Sequence, residues 1–339
     1  MKLKAAVIGT GRIGYLLQKD KKREQPASHS AALAQNRRIA LIAGCDLNPK
    51  RLFLWKRDYP QAACYTSASE LMQREKPDLV AVAVSEEAHL EVALTVIRHR
   101  PGLIILEKPV APNLRQAERI RKEAGRYQVP ISINHERRFS RDYQLVKDLL
   151  QKEKLGKLQT VYAYLCNGSR IWSPACYEDG NCSLIHDGTH LVDILHFLLE
   201  EKLKNPTMDR IVKTQKGEVR VLNLHYYLSN DTLLCLEFNG QSKVFDFGLV
   251  LNGSRGRIII GNGYLKFYSP APSPFYAGFF SFTRRKNLKR PQITGYFSRM
   301  IDNCVDFLKG KAPLISPLSE GIKGLEVLDE IVTCLDQKK

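Results

Sequence analysis

The chain contains no Cys-x-x-Cys pair, no stretch approaching ~18 consecutive apolar residues, and too little acid, with 35 Asp and Glu against 52 Lys and Arg. Each absence excludes something. The eight cysteines, at positions 45, 64, 166, 176, 182, 235, 304 and 334, form no dense framework, so they read as mostly reduced thiols of a cytoplasmic protein. Without a long apolar run no membrane span is expected, and because Met1 leads straight into an apolar strand, no signal peptide is expected either. The formal charge of +17 excludes an acidic solvating protein and places polyanions among the plausible ligands. Internal repeats and low-complexity tracts are also lacking. What remains is 339 residues, 44% of them apolar, enough for two domains with full cores.

From Leu3 to about Asn134, short apolar runs alternate with segments of helical period, the mark of a parallel sheet with crossover helices. The runs are Leu3–Gly9, Ile39–Cys45, Leu79–Val84, Leu103–Leu106 and Pro130–Asn134, with helices predicted over Ala88–His99 and Asn113–Tyr127. Beyond a predicted amphipathic helix at Phe139–Lys154 the pattern changes to strands at Leu158–Cys166, Val219–Leu228, Leu233–Phe238, Lys243–Leu249 and Arg257–Ile260. Helices at His186–Glu200, Thr294–Lys309 and Ser319–Leu335 complete this part. The expected fold is a doubly wound α/β domain over 1–135, then an α+β domain over 136–339 with a large, mostly antiparallel open sheet, its C-terminal helix packing back on the first domain. Lys19–Ser28 and Arg284–Pro291 are polar and basic and read as loops, the first interrupting the first helix.

Gly9-Thr10-Gly11-Arg12-Ile13-Gly14 follows the first strand directly, the context in which G-x-G-x-x-G has a mechanical meaning. Gly9 permits a tight turn, Gly11 lets backbone approach a pyrophosphate, and Gly14 allows close helix–sheet packing, with free N–H groups at a helix start receiving the anion. Asp46, at the end of the second strand, can accept the ribose hydroxyls of an adenosine. It lies 32 residues past Gly14, where ~20 is usual, and the Lys19–Ser28 insertion accounts for the excess. The carboxylate favours NAD over NADP, whereas Arg51 and Lys50 just beyond it suit a 2′-phosphate.

With Glu107-Lys108-Pro109 after the Leu103–Leu106 strand, and Gly188, His190 and Asp193 in the stretch His186–Asp193, the chain resembles the glucose-fructose oxidoreductase/inositol dehydrogenase (Gfo/Idh/MocA) family over nearly its full length. The resemblance implies a Rossmann domain, pyridine-nucleotide-dependent oxidation or reduction of a carbinol in a sugar, cyclitol or nucleotide sugar, and homo-oligomers (dimers or tetramers) built through the second-domain sheet. It assigns Lys108 to the cleft beside the nicotinamide, where an ammonium stabilises a developing alkoxide, and Glu107 and Ser85 to the cofactor. The Lys108-Pro109 peptide is expected to be cis, as is frequent in the family.

His190 is the candidate general base, kept unprotonated by Lys108 nearby. The family's usual Asp four residues earlier is replaced by His186, with Asp187 next, and either can take that role as a substrate or orienting residue. Asn134 and Arg138 at the end of the last parallel strand are further substrate candidates, Arg138 by bidentate grip on an anionic group, whereas His89 reads as structural. Cys176, Cys182, His186 and His190 suggest a metal site, but Cys-x5-Cys is wider than zinc spacing, and no metal is expected.

Two other activities fit parts of this pattern. A glycosidase branch of the same family oxidises a sugar transiently with tightly held NAD, so net redox does not follow from the fold. A non-enzymatic NAD sensor binding nucleic acid through Lys21-Lys22-Arg23, Arg37-Arg38 and Arg284-Arg285-Lys286 is the other. These clusters are dispersed and lack aromatic interleaving, so a solvated basic surface is the plainer reading.

Overall fold

The computed structural model describes residues 2–173, 182–286 and 288–337. It divides into two compact units, one made of 1–140 and 293–325, the other of 141–292 and 326–339.

The first unit is built on six parallel strands, β1 (Leu3–Ile8), β2 (Ile39–Cys45), β3 (Ala63–Tyr65), β4 (Leu79–Val82), β5 (Leu103–Leu106) and β6 (Ile131–Ile133), in the order β3-β2-β1-β4-β5-β6. The order reverses between β1 and β4, which puts a topological switch point at the carboxyl end of β1, where open α/β sheets bind ligands. The apolar runs are continuous because both faces are covered: every residue of β4 and β5 is fully buried. Each large aliphatic side chain so buried contributes about 1.5–3 kcal/mol. Among the covering helices are α1 (His29–Gln35), α2 (Pro49–Asp58), α3 (Ala68–Glu75), α4 (His89–Arg98) and α5 (Leu114–Tyr127). In α5 the buried residues Ala117, Ile120 and Ala124 fall at helical spacing, and the Asn113 side chain caps it by accepting from the Gln116 N–H at 3.0 Å.

No α-helix opens at Gly14. The chain makes a wide turn in which the Leu16 and Leu17 N–H groups reach back to the Gly11 and Arg12 carbonyls, followed by a short 3-10 turn at Leu16–Lys19. Helical geometry resumes only at His29, whose N–H donates to the Ile13 carbonyl at 3.1 Å while that of Ser30 donates to Gly14 at 3.0 Å. The insertion is therefore looped out of a helix that would otherwise run on from the glycine turn. It is also tied down: the Glu24 carboxylate accepts from Thr294 N and Oγ1, both at 2.9 Å, ahead of a later helix, Tyr296–Leu308.

That helix was expected in the second domain and lies in the first unit. Its stripe Phe297, Met300, Ile301, Cys304 and Val305 is buried with Ala5, Val7, Leu79 and Leu103. Arg38 pairs with Asp306 at 2.6 Å and with Asp302, so one arginine of the expected Arg37-Arg38 cluster is spent on holding the fold.

The second unit begins with α6 (Arg141–Gln151) and carries an eight-stranded sheet of β7 (Leu158–Cys166), β8 (Thr207–Lys213), β9 (Val219–Tyr227), β10 (Leu233–Asn239), β11 (Asp246–Gly253), β12 (Gly256–Gly261), β13 (Tyr264–Pro272) and β14 (Phe280–Arg284). Their order is β14-β13-β12-β11-β7-β10-β9-β8, antiparallel except where β7 and β10 pair in parallel. One face is apolar with period two, as in Leu234, Leu236 and Phe238 of β10 and Val161, Ala163 and Leu165 of β7. Two helices meeting at Asp187 follow β7 in the chain, α7 (Ser183–His186) and α8 (Gly188–Leu199). A Cβ at Gly188 would stand 3.1 Å from the Phe238 ring, so a larger residue there would press the ring aside. The Tyr296–Leu308 helix is α9, and α10 (Leu318–Gln337) closes the chain. Among the described residues, no helix is long and apolar enough to cross a membrane.

Candidate functional site

At the switch point the three glycines of the first turn do three different things. Gly9 has φ +95° and a Cβ there would lie 2.4 Å from the Ala83 carbonyl oxygen, so the chain could not turn beside β4 with any other residue. A Cβ on Gly14 would lie 1.8 Å from the Gly9 oxygen. On Gly11, by contrast, its nearest neighbour would be Arg51 Nη1 at 3.6 Å, so nothing in the protein itself demands glycine there. Among the described residues the N–H groups of Gly11, Arg12 and Ile13 meet no acceptor. A row of unpaired N–H groups with a missing Cβ in its middle fits a pyrophosphate. The donors belong to the turn, not to a helix start, because the first N–H groups of α1 are already paired with Ile13 and Gly14.

Asp46, 8% exposed, closes this turn onto β2: Oδ2 accepts from Thr10 N at 2.8 Å and Thr10 Oγ1 at 3.1 Å, and Oδ1 accepts from Asn48 N at 2.8 Å. Arg51, half-exposed, stands 4.0 Å from Asp46 Oδ2. Ser85 is exposed at the start of a short 3-10 turn after β4.

Lys108 is half-buried and precedes a cis peptide to Pro109. The residues around it are more deeply buried than sequence suggests. Glu107, expected at the cofactor, turns its carboxylate inward: Oε1 meets His29 Nε2 at 2.6 Å and the Asn134 side-chain amide. Burial works to raise its pKa, but the hydrogen bond and charge of His29, the bond from Asn134 and the charge of Lys108 outweigh it and hold Glu107 below the usual carboxylate range. Asn134, expected at the substrate, is thus committed to Glu107 and is 1% exposed. His89 lies under the next residue, with Nδ1 2.8 Å from the Pro109 carbonyl and Nε2 3.3 Å from that of Val84. Burial pushes its imidazole below the usual range, against the two carbonyls and nearby acids that favour the charged form.

Arg138 also differs from its expected role. Its side chain is 4% exposed, Nη1 donates to the Ile315 carbonyl at 3.2 Å and Nη2 pairs with Glu320 at 3.0 Å, so the guanidinium that was to grip a substrate braces the first unit.

In the second unit His190 is singled out by exposure. Apart from the terminal Leu199 it is the only residue of α8 that is not buried. Asp187 sits at the α7–α8 junction, its carbonyl accepting from His190 N at 3.0 Å and its Oδ2 from Asn167 Nδ2 at 3.3 Å. Asn167, just past β7, also donates to Ser183 Oγ at 2.7 Å, an orienting role that no sequence motif announced. The His186 side chain is half-exposed, with Nε2 3.9 Å from Asp187 Oδ1, beyond hydrogen-bond reach. His186 and His190 belong to two helices, not one. Of the expected metal set, Cys176 lies outside the described residues, and Cys182 is in a disulfide, which corrects the expectation of a free thiol and removes a thiolate ligand. Cys45, Cys64, Cys166, Cys235, Cys304 and Cys334 are free.

A six-stranded doubly wound sheet with a glycine turn at its switch point defines a dinucleotide-binding α/β protein. Residues 3–135 match the model of the Gfo/Idh/MocA oxidoreductase family with its NAD-binding Rossmann fold, so this part of the chain is similar to that family. It is 26% identical over 211 residues to inositol 2-dehydrogenase of Salmonella paratyphi B, covering 60% of this chain and 56% of that protein. Against myo-inositol 2-dehydrogenase of Thermotoga maritima it is 25% identical over 268 residues, 77% of this chain and 75% of the relative. The chain thus spans little more than half the length of the Salmonella relative. The crystal structure of the WlbA dehydrogenase from Bordetella pertussis in complex with NADH and UDP-GlcNAcA shares the fold, with TM-score 0.76 at 17% identity over 100% of this chain and 96% of that one.

Proposed function

We propose that the protein is an NAD(P)-dependent oxidoreductase that transfers a hydride between the nicotinamide and a carbinol or carbonyl of a sugar, cyclitol or nucleotide sugar. The observation that carries this reading is the glycine turn, with its unpaired N–H groups and open Gly11, latched by Asp46 at the switch point. Its relatives named as inositol dehydrogenases support a polyol substrate. The bound nicotinamide supplies the hydride acceptor or donor. Gly11, Arg12 and Ile13 hold the pyrophosphate through backbone N–H groups, Asp46 takes a ribose hydroxyl on its less occupied Oδ1, and Arg51 accommodates a 2′-phosphate when NADP is used. Lys108 stabilises negative charge growing on the substrate oxygen, while His190 takes the hydroxyl proton. Asp187, held by Asn167, fixes the start of the helix that carries His190. His186, exposed beside it, contacts substrate.

Calorimetric titration of the full chain with NAD+ and NADP+, followed by nicotinamide absorbance with a panel of inositols, aldoses and nucleotide sugars, tests this. Saturable binding and turnover with a polyol support it. Cleavage of an aryl glycoside without accumulating NADH assigns the chain to the glycosidase chemistry instead, and absence of dinucleotide binding refutes the reading.

We further infer that the chain forms homo-oligomers through the second-unit sheet. The apolar side chains exposed there, Phe280 at 72% and Phe282 at 40% on β14 with Phe275 and Phe279 before them, support a covered surface.

A further inference from the structure

Resting on the oxidoreductase reading, we propose that His29 and Asn134 are positioning residues for Lys108, acting through Glu107. Lys108 is anchored on both sides by buried side chains from separate elements. Before it, Glu107 Oε1 receives His29 Nε2 at 2.6 Å from α1 and the Asn134 amide from the end of β6. After it, His89 at the start of α4 reaches the Pro109 carbonyl at 2.8 Å. His29 is fully buried, with Phe297 edge-on to its ring at 5.2 Å, and Asn134 and His89 are each 1% exposed.

A cluster built for stability alone would not look like this. Both donors converge on one carboxylate oxygen, and His29 Nδ1 and Asn134 Oδ1 are left buried with no hydrogen-bond partner among the described residues. Apolar side chains of similar volume would fill the same space at lower cost. What the polar set provides is direction. Glu107 N donates to the Val82 carbonyl at 3.1 Å and Asn134 N to that of Leu106 at 2.9 Å, so carboxylate and amide both stand on the ordered ends of neighbouring strands, β5 and β6. His29 reaches the same carboxylate from the first helical residue after the looped-out insertion. A lysine on a four-carbon stem gains precision only if the peptide that bears it cannot shift, and a displacement of about 1 Å at a reacting group costs about 100-fold in rate.

The test compares the full-length wild type with His29→Ala, His29→Gln and Asn134→Ala in steady-state turnover, NAD+ calorimetry and backbone hydrogen exchange. His29→Ala is expected to lower kcat by about 10–100-fold with KM and NAD+ affinity little changed. His29→Gln, whose amide N–H can still reach Glu107, is expected to recover part of the loss. Exchange should quicken in the segment 107–110 and not in β1. A rise in KM alone, equal defects in folded Ala and Gln variants, or unaltered exchange at 107–110 overturns the proposal. If His29→Ala does not fold, Asn134→Ala, which leaves the His29 contact in place, is read by the same criteria. If the wild type turns over no substrate, the oxidoreductase reading fails by that result, and exchange alone then decides whether His29 and Asn134 fix the Lys108 peptide.

Discussion

Thr10 gives both its backbone N–H, at 2.8 Å, and its hydroxyl, at 3.1 Å, to the same oxygen of Asp46. The residue that sequence assigns to the ribose is therefore first a latch that shapes the glycine turn, with one oxygen occupied twice and the other accepting once, from Asn48. On the proposed reading, in which Asp46 also takes a ribose hydroxyl, stability and cofactor binding are linked in one carboxylate.

Replacing Asp46 with Ala is expected to cost about 1.5–3 kcal/mol of folding stability, because the buried Thr10 groups lose a charged acceptor, and to weaken NAD+ binding at the same time. Replacing the half-exposed Arg51 with Ala should leave NAD+ affinity intact and reduce NADP+ affinity. Denaturant titration and calorimetry read both effects. Equal losses of the two nucleotides in the Arg51 variant would remove the 2′-phosphate role.

The glycines separate folding from binding. Gly14→Ala forces a Cβ against a backbone oxygen and should cost about 3 kcal/mol or more. Gly11→Ala meets only the tip of the Arg51 side chain, so stability should stay within about 0.5 kcal/mol while dinucleotide affinity drops. Thermal unfolding with and without NAD+ distinguishes the two. A Gly11→Ala protein as stable as the wild type that still binds NAD+ normally would show that the pyrophosphate does not approach there.

Glu107 makes stability depend on pH in a defined direction. Its folded pKa is depressed below the unfolded value, so its contribution is complete above about pH 4.3 and is lost as pH falls through the lower folded value. The stability gap between wild type and Glu107→Gln should therefore be constant near neutrality and narrow in acid. A gap that widened as pH fell would contradict the assignment of His29 and Asn134 as the groups that favour the ionised form.

If the second-unit sheet is covered by another copy, sedimentation of the wild type should give a dimer or tetramer, and Phe280→Glu should shift it toward monomer without altering its circular dichroism. A wild-type monomer would leave the aromatic surface without that role.

The central parallel strands β4 and β5 were legible because each is an uninterrupted apolar run buried on both faces, and Leu103–Leu106 and the alternating Leu158–Cys166 fall where their patterns place them. The three-residue edge strand Ala63–Tyr65 is too short to carry a period, and β13 ends in Ser269-Pro270-Ala271-Pro272, which reads as loop. The amphipathic stripe of α9 was visible, but which sheet it would cover was not, since a stripe states only that something apolar must be met. The motif residues Gly9, Gly11, Gly14 and Asp46 were readable from spacing. His29 was not, because the insertion separates it from the glycine turn it stacks on, and Glu107 and Asn134 were read as ligand contacts because sequence cannot tell which way a polar side chain at a strand end points. Arg138 failed similarly, as its partner Glu320 is distant in the chain.

The most direct measurement is to incubate the full-length protein and NAD(P)+ with inositols and aldoses carrying deuterium at the carbinol carbon, then to weigh the reduced nucleotide. Transfer of the deuterium, as deuteride, to the nicotinamide, lost in Lys108→Ala and His190→Ala variants that still bind nucleotide, is the result expected. Absence of reduced nucleotide across the panel, or label released to solvent instead, would contradict a direct hydride transfer by this protein.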